Sequence, residues 1–154
     1  MTIEVGNKAP EFSGPTDSNQ ILSLNDFLGK NIVLFFYPKD MTPGCTNEAC
    51  DFRDYYKEFL NFNTEIVGIS KDSIRRHKAF KKKLKLPYPL VSDESNSICD
   101  AYGVWQEKKN YGKKYMGIVR STFLINEKSQ ITAIWRNLRV KGHVDRVLEQ
   151  VKLL

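Results

Sequence analysis

Long apolar runs are missing from this 154-residue chain: none comes near the ~20 residues that a membrane helix requires, and Ile32 to Tyr37, the longest, is only strand-sized. The opening Met1-Thr2-Ile3-Glu4-Val5-Gly6 lacks the basic-then-apolar layout of a secretion signal, so a cytoplasmic, reducing location is expected. Cysteine is scarce as well. Three cysteines, unevenly spaced, are too few for a disulfide framework, and a close pair in a reducing compartment points to chemistry or metal instead. There are two histidines, His77 and His143, and neither has metal-ligand spacing; both read as surface or capping residues. Zinc would need Cys45, Cys50 and two distant ligands, so no metal is expected. No internal repeat, low-complexity tract or linker divides the chain, which predicts one domain over residues 1–154.

Basic residues exceed acidic ones, 24 to 18, for a formal charge of +6. The densest positive stretch is Arg75-Arg76-His77-Lys78 with Lys81-Lys82-Lys83-Leu84-Lys85. Base-reading or stacking groups are sparse beside it, with Phe80 and Tyr88 the nearest, so it reads as a solvated helix face. Neither a nucleic acid nor a membrane is an expected partner.

Apolar patterning gives the fold class. Ile32-Val33-Leu34-Phe35-Phe36-Tyr37 is apolar on both faces and predicts a central buried strand. Before it, the stretch to Ser23 suits a small hairpin or edge strands, and Asn25 to Gly29 one helical turn closed by glycine. After it, Ala49, Phe52, Tyr55 or Tyr56, and Phe59 recur at helical spacing. Thr64–Ile69 predicts a strand, Asp72–Leu84 and Ser95–Tyr102 helices, Ile118–Ile125 and Gln130–Trp135 strands joined by a polar turn, and Val144, Val147, Leu148 and Val151 a final helix. This order predicts an α/β fold with helices on both faces of a mixed sheet. The loop from Pro38 to Gly44 then lies at the carboxyl end of the central strand, where open α/β sheets hold their sites.

That loop delivers Cys45 to the first turn of a helix, where unpaired N–H groups and the helix dipole favour a thiolate, the nucleophilic form of cysteine. The alternative is a buried structural cysteine. Cys50 follows five residues later, which is not the Cys-x-x-Cys spacing of a dithiol reductase. In one continuous helix, residues so spaced have Cα atoms roughly 8–9 Å apart and point about 140° from each other. A disulfide requires a separation below about 7 Å. A Cys45–Cys50 bridge therefore demands local unwinding. Arg120 lies in an otherwise core-like strand, where it must pair with a carboxylate such as Glu48, border a cleft and steady the Cys45 thiolate, or reach solvent from an edge strand. Cys99 reads as a core cysteine with a competing claim as the thiol that closes a disulfide.

The run Pro38-Lys39-Asp40-Met41-Thr42-Pro43-Gly44-Cys45 matches the Pro-x-x-x-Thr-x-x-Cys motif of peroxiredoxins. Pro43-Gly44 and the Cys50 spacing resemble the Q-type, or bacterioferritin-comigratory, subgroup. Further matching segments are Val5 to Phe12, Ser92-Asp93, Ala101 to Trp105, Tyr115-Met116-Gly117, the Arg120 strand and Lys141-Gly142-His143, so the resemblance spans nearly the whole chain. It implies a thioredoxin-like fold with an N-terminal β extension and a peroxidase acting on hydrogen peroxide and organic hydroperoxides without a cofactor. Cys45 is then the peroxidatic residue and Cys50 the resolving one. Thr42 and Arg120 orient the peroxide, Pro38 shields the pocket, and Gly44 and Glu48 complete it. Thioredoxin or a glutaredoxin-like dithiol protein is the implied reductant, and a monomer the implied state.

Overall fold

Steric and polar constraints make one strand the axis of this protein. The computed structural model describes residues 3–154; Met1 and Thr2, part of the N-terminal stretch read for a signal, lie outside the described residues. In chain order the elements are β1 (Ser13–Pro15), β2 (Ile21–Ser23), a 3₁₀ turn (Leu24–Phe27), β3 (Asn31–Phe36), α1 (Pro43–Asp54), α2 (Tyr56–Asn61), β4 (Thr64–Ser70), α3 (Ile74–Leu84), β5 (Leu90–Ser92), α4 (Ser97–Ala101), β6 (Trp105–Asn110), β7 (Lys113–Ile118), β8 (Ser121–Ile125), β9 (Ile131–Arg136) and α5 (His143–Lys152). The main sheet has the order β5-β4-β3-β8-β9. β3, β4 and β5 are parallel, while β8 and β9 run antiparallel, so the sheet is mixed and β3 is its centre.

Every residue of β3 is buried. Because side chains alternate along a strand, Ile32, Leu34 and Phe36 enter one core while Val33, Phe35 and Tyr37 enter the other. On the second face, α1, α2, α3 and α5 contribute Phe52, Phe59, Phe80 and Val147, among others. On the first face, the 3₁₀ turn contributes Leu24 and Phe27 and α4 contributes Ile98 and Cys99. At Gly68 of β4 an added Cβ would lie 2.8 Å from Leu90 Cδ2 and 2.9 Å from Phe35 Cζ, so only glycine lets these side chains close over the strand. No helix among the described residues is long and apolar enough to cross a membrane.

Three sequence expectations change. First, Trp105–Ile118 forms a two-stranded hairpin, β6-β7, turned through Tyr111 and Gly112, both at positive φ (52° and 79°). Its residues are mostly exposed and its few apolar side chains do not alternate, so the pattern that announces a half-buried strand is absent. Second, Ile118–Ile125 is not one strand. β7 ends at Ile118 and β8 starts at Ser121, and Arg120 lies in the short break between them. Third, neither histidine is at the surface: both His77 and His143 are fully buried.

Candidate active site

The site forms where β3 gives way to α1. Thr42 is the N-cap, in an extended conformation, and Pro43 opens the helix, a position where its missing N–H costs nothing. The Thr42 side chain does not cap; its hydroxyl donates to the Lys39 carbonyl at 2.8 Å. The first helical bond runs from Thr46 N–H to the Thr42 carbonyl (2.9 Å), which leaves the N–H groups of Gly44 and Cys45 at the open helix end. The Cys45 side chain turns inward and the residue is 1% exposed, packed in the same core as Phe35 and Phe52.

Arg120 reaches this point from the opposite side. Its Nη2 donates to Cys45 Sγ at 3.2 Å and its Nη1 donates to Glu48 Oε1 at 2.6 Å. Two of the readings of Arg120 thus hold at once: it pairs with Glu48 and it touches the sulfur. Such a side chain fits the break between β7 and β8, since a regular strand position would send it into one core or the other. Gly44 makes room for it; an added Cβ there would sit 3.2 Å from Arg120 Nη2. Burial works against the guanidinium charge, but Glu48 and Cys45 outweigh it and hold the Arg120 pKa up. Glu48 is wholly buried, and burial, only partly offset by Arg120, pushes its pKa up to about 7. Its Oε2 has no hydrogen-bond partner.

Cys50 is half-buried and lies on the same uninterrupted helix as Cys45, so the two thiols are free and face apart. Cys99 sits in the other core, across the sheet from Cys45. Burial raises the Cys99 thiol pKa, and Asp93 adds to the effect. Half-buried Pro38 borders a cavity of about 430 Å³ whose lining includes Trp105, Lys108, Met116 and Ile118. Lys108 Nζ donates to the Ile118 carbonyl at 2.9 Å, and its pKa is lowered by burial and by Arg120. The sequence reading matched Trp105 as part of a family segment but gave neither it nor Lys108 a place at the site, because it missed their hairpin. It also misplaced His143, which packs between the rings of Phe52 and Trp135 with Nε2 2.8 Å from Thr122 Oγ1. Burial pushes the pKa of His143 down to about 4, with Arg146 and Arg120 contributing.

Residues 5–134 match the AhpC/TSA family. The chain is 49% identical over 152 residues to the peroxiredoxin Bcp of Bacillus subtilis, spanning 99% of this chain and 97% of that protein. Among solved structures, the bacterioferritin comigratory protein of Xanthomonas campestris, described there for alkyl peroxide reduction, superposes with a TM-score of 0.88 at 39% identity, over 92% of this chain and 90% of that one. A cysteine-to-serine variant of PrxQ from Xylella fastidiosa gives 0.94 at 33% identity, over 99% and 98%. The thioredoxin-like fold expected from the sequence is therefore present, and the chain belongs to the AhpC/TSA family as a peroxiredoxin, a thiol peroxidase, of the bacterioferritin-comigratory or Q type.

Proposed function

We propose that residues 1–154 form a single peroxidase domain in which Cys45 takes an oxygen atom from a hydroperoxide and Cys50 closes a disulfide with it. The reading is carried by one observation, the Arg120 guanidinium that touches Cys45 Sγ and Glu48 together. The Cys45 thiolate attacks one peroxide oxygen, the O–O bond breaks, and the other oxygen leaves as hydroxide or alkoxide, which takes up a proton. Negative charge moves from sulfur to the leaving oxygen along this line. Arg120 and the N–H groups of Gly44 and Cys45 are donors already positioned to follow it. Because the Thr42 hydroxyl spends its own proton on the Lys39 carbonyl, its oxygen is free to accept from the peroxide O–H. Pro38 limits water, and the cavity beside it gives an organic hydroperoxide room for its carbon chain.

The product is a sulfenic acid at Cys45. Condensation with the Cys50 thiol forms the S–S bond and releases water. In the intact α1 the two residues are too far apart and diverge, so its first turns must unwind between the two steps. A dithiol protein such as thioredoxin or a glutaredoxin-like partner then reduces the disulfide by thiol exchange. A cytoplasmic monomer is the state in which this cycle runs.

Mass spectrometry after one equivalent of peroxide tests the scheme. The wild type should give a Cys45–Cys50 disulfide. Cys50→Ser should consume one equivalent and stop as sulfenic acid, and Cys45→Ser should consume none. Full turnover by Cys45→Ser, or a map linking Cys45 to Cys99, would overturn the assignment.

A further inference from the structure

Below the loop that carries Thr42 lies a polar cluster with no part in the scheme above. Asp40 and His77 are both buried, at 1% and 0% exposure. Each polar group of Asp40 is tied. Its Oδ1 accepts from the Tyr37 hydroxyl (2.6 Å) and its Oδ2 lies 2.7 Å from His77 Nδ1. Its N–H donates to Asp72 Oδ2 (2.8 Å) and its carbonyl accepts from Arg76 Nη2 (3.2 Å). His77 Nε2 is 3.0 Å from the Val91 carbonyl. A carbonyl only accepts, so Nε2 carries a proton. The 2.7 Å contact at Nδ1 then holds a second proton shared with Asp40, either on the ring or on the acid.

Asp40, Asp72 and His77 have the composition of a metal site. Their atoms are already committed, however: Asp72 accepts from Ser70 Oγ at 2.6 Å and from Arg76 Nε at 2.9 Å, and Asp40 accepts from Tyr37 and shares a proton with His77. The cluster binds the chain to itself. The residue after Asp40, Met41, holds φ at 68°, a left-handed conformation uncommon for a non-glycine residue. Thr42 comes next, followed by the start of α1.

We infer that His77 is a positioning residue for peroxide attack: through Asp40 it pins the Pro38–Met41 turn to α3 and β5, which fixes the heading of α1 and sets Cys45 against Arg120. The inference rests on the peroxidase reading of Cys45. Misplacement of reacting groups by about 1 Å costs on the order of a hundredfold in rate, so slackening this tie reaches the chemistry without touching it.

The test is the second-order rate of Cys45 oxidation, by rapid quench and mass spectrometry on a Cys50→Ser background, with melting curves to show that each variant is folded. His77→Gln keeps a donor for Val91 but loses Asp40, and it should react at least tenfold more slowly, as should Asp40→Ala. Asp40→Asn should stay within threefold of the parent, because its amide can accept from Tyr37 and donate to an unprotonated His77 Nδ1. With Cys50 restored, disulfide closure in His77→Gln should be as fast as in the parent or faster, since that step needs the helix start released. A folded His77→Gln with the parent rate, or Asp40→Asn as slow as Asp40→Ala, overturns the inference. Should His77→Gln not fold, Tyr37→Phe, which removes only one hydroxyl from Asp40, must slow oxidation threefold or more, and the parent rate there also overturns it. A parent protein whose Cys45 takes up no oxygen defeats the peroxidase reading itself, an outcome separable from all of these.

Discussion

Glu48→Gln should change how stability depends on pH more than it changes stability at any one pH. Below pH 4.5, the ordinary value for this group, Glu48 is protonated in both the folded and the unfolded chain and its burial costs no charge. As the pH climbs from there towards 7, the unfolded chain releases the proton while the folded one keeps it, and unfolding is progressively favoured. Above 7 the loss levels off. The gap between 4.5 and about 7, at roughly 1.4 kcal/mol per pH unit, sets the plateau near 3 kcal/mol, with about 1 kcal/mol already present at pH 5. The variant lacks this slope. It introduces an amide where Oε2 has no partner, which adds a destabilisation of about 1–3 kcal/mol that does not vary with pH. The measurement is urea unfolding of both proteins from pH 5 to 9, on a Cys45→Ser background. The wild-type-minus-variant difference should move against the wild type by about 2 kcal/mol across that range, which corresponds to roughly 4–8 °C in melting temperature. A flat difference, or one that moves in favour of the wild type, would mean that Glu48 is ionised throughout and that Arg120 wins over burial.

Three further outcomes follow from the geometry. Arg120→Ala removes the donor to Cys45 Sγ and should slow single-turnover oxidation by about 10²–10³, read by rapid quench. Cys99→Ser should leave peroxide turnover and the disulfide map unchanged, because its thiol lies across the sheet from Cys45. Gly68→Ala forces a methyl against Leu90 and Phe35 and should lower unfolding free energy by about 1–3 kcal/mol in urea titration, with oxidation kinetics of the folded protein intact.

The sequence made legible whatever depends on local patterning. The two-faced apolar run of β3, the helical spacing through Phe52 and the Pro-Gly entry to α1 each act over a few residues, and each element is where its pattern put it. Cys45, Gly44, Glu48 and Arg120 were singled out and are in contact or adjacent. What failed depended on distant partners. The hairpin β6-β7 is mostly exposed and has no apolar period to betray it. His77 was hidden by its basic neighbours, although its spacing from Ile74 and Phe80 puts it on the buried face of α3; Asp40, 37 residues away, is what makes burial tolerable. His143 likewise depends on Thr122, 21 residues earlier.

The alternation along β3 has a mechanical consequence. Cys45 and Cys50 belong to a helix whose buried side chains join one of the two cores, with the backbone of the sheet between it and the other. Unravelling a turn to join the two sulfurs therefore disturbs one compartment and leaves the other as an undisturbed footing from which the helix can wind back. On the proposed Cys45–Cys50 route, a catalyst that partly comes apart in each cycle is protected by having two cores rather than one.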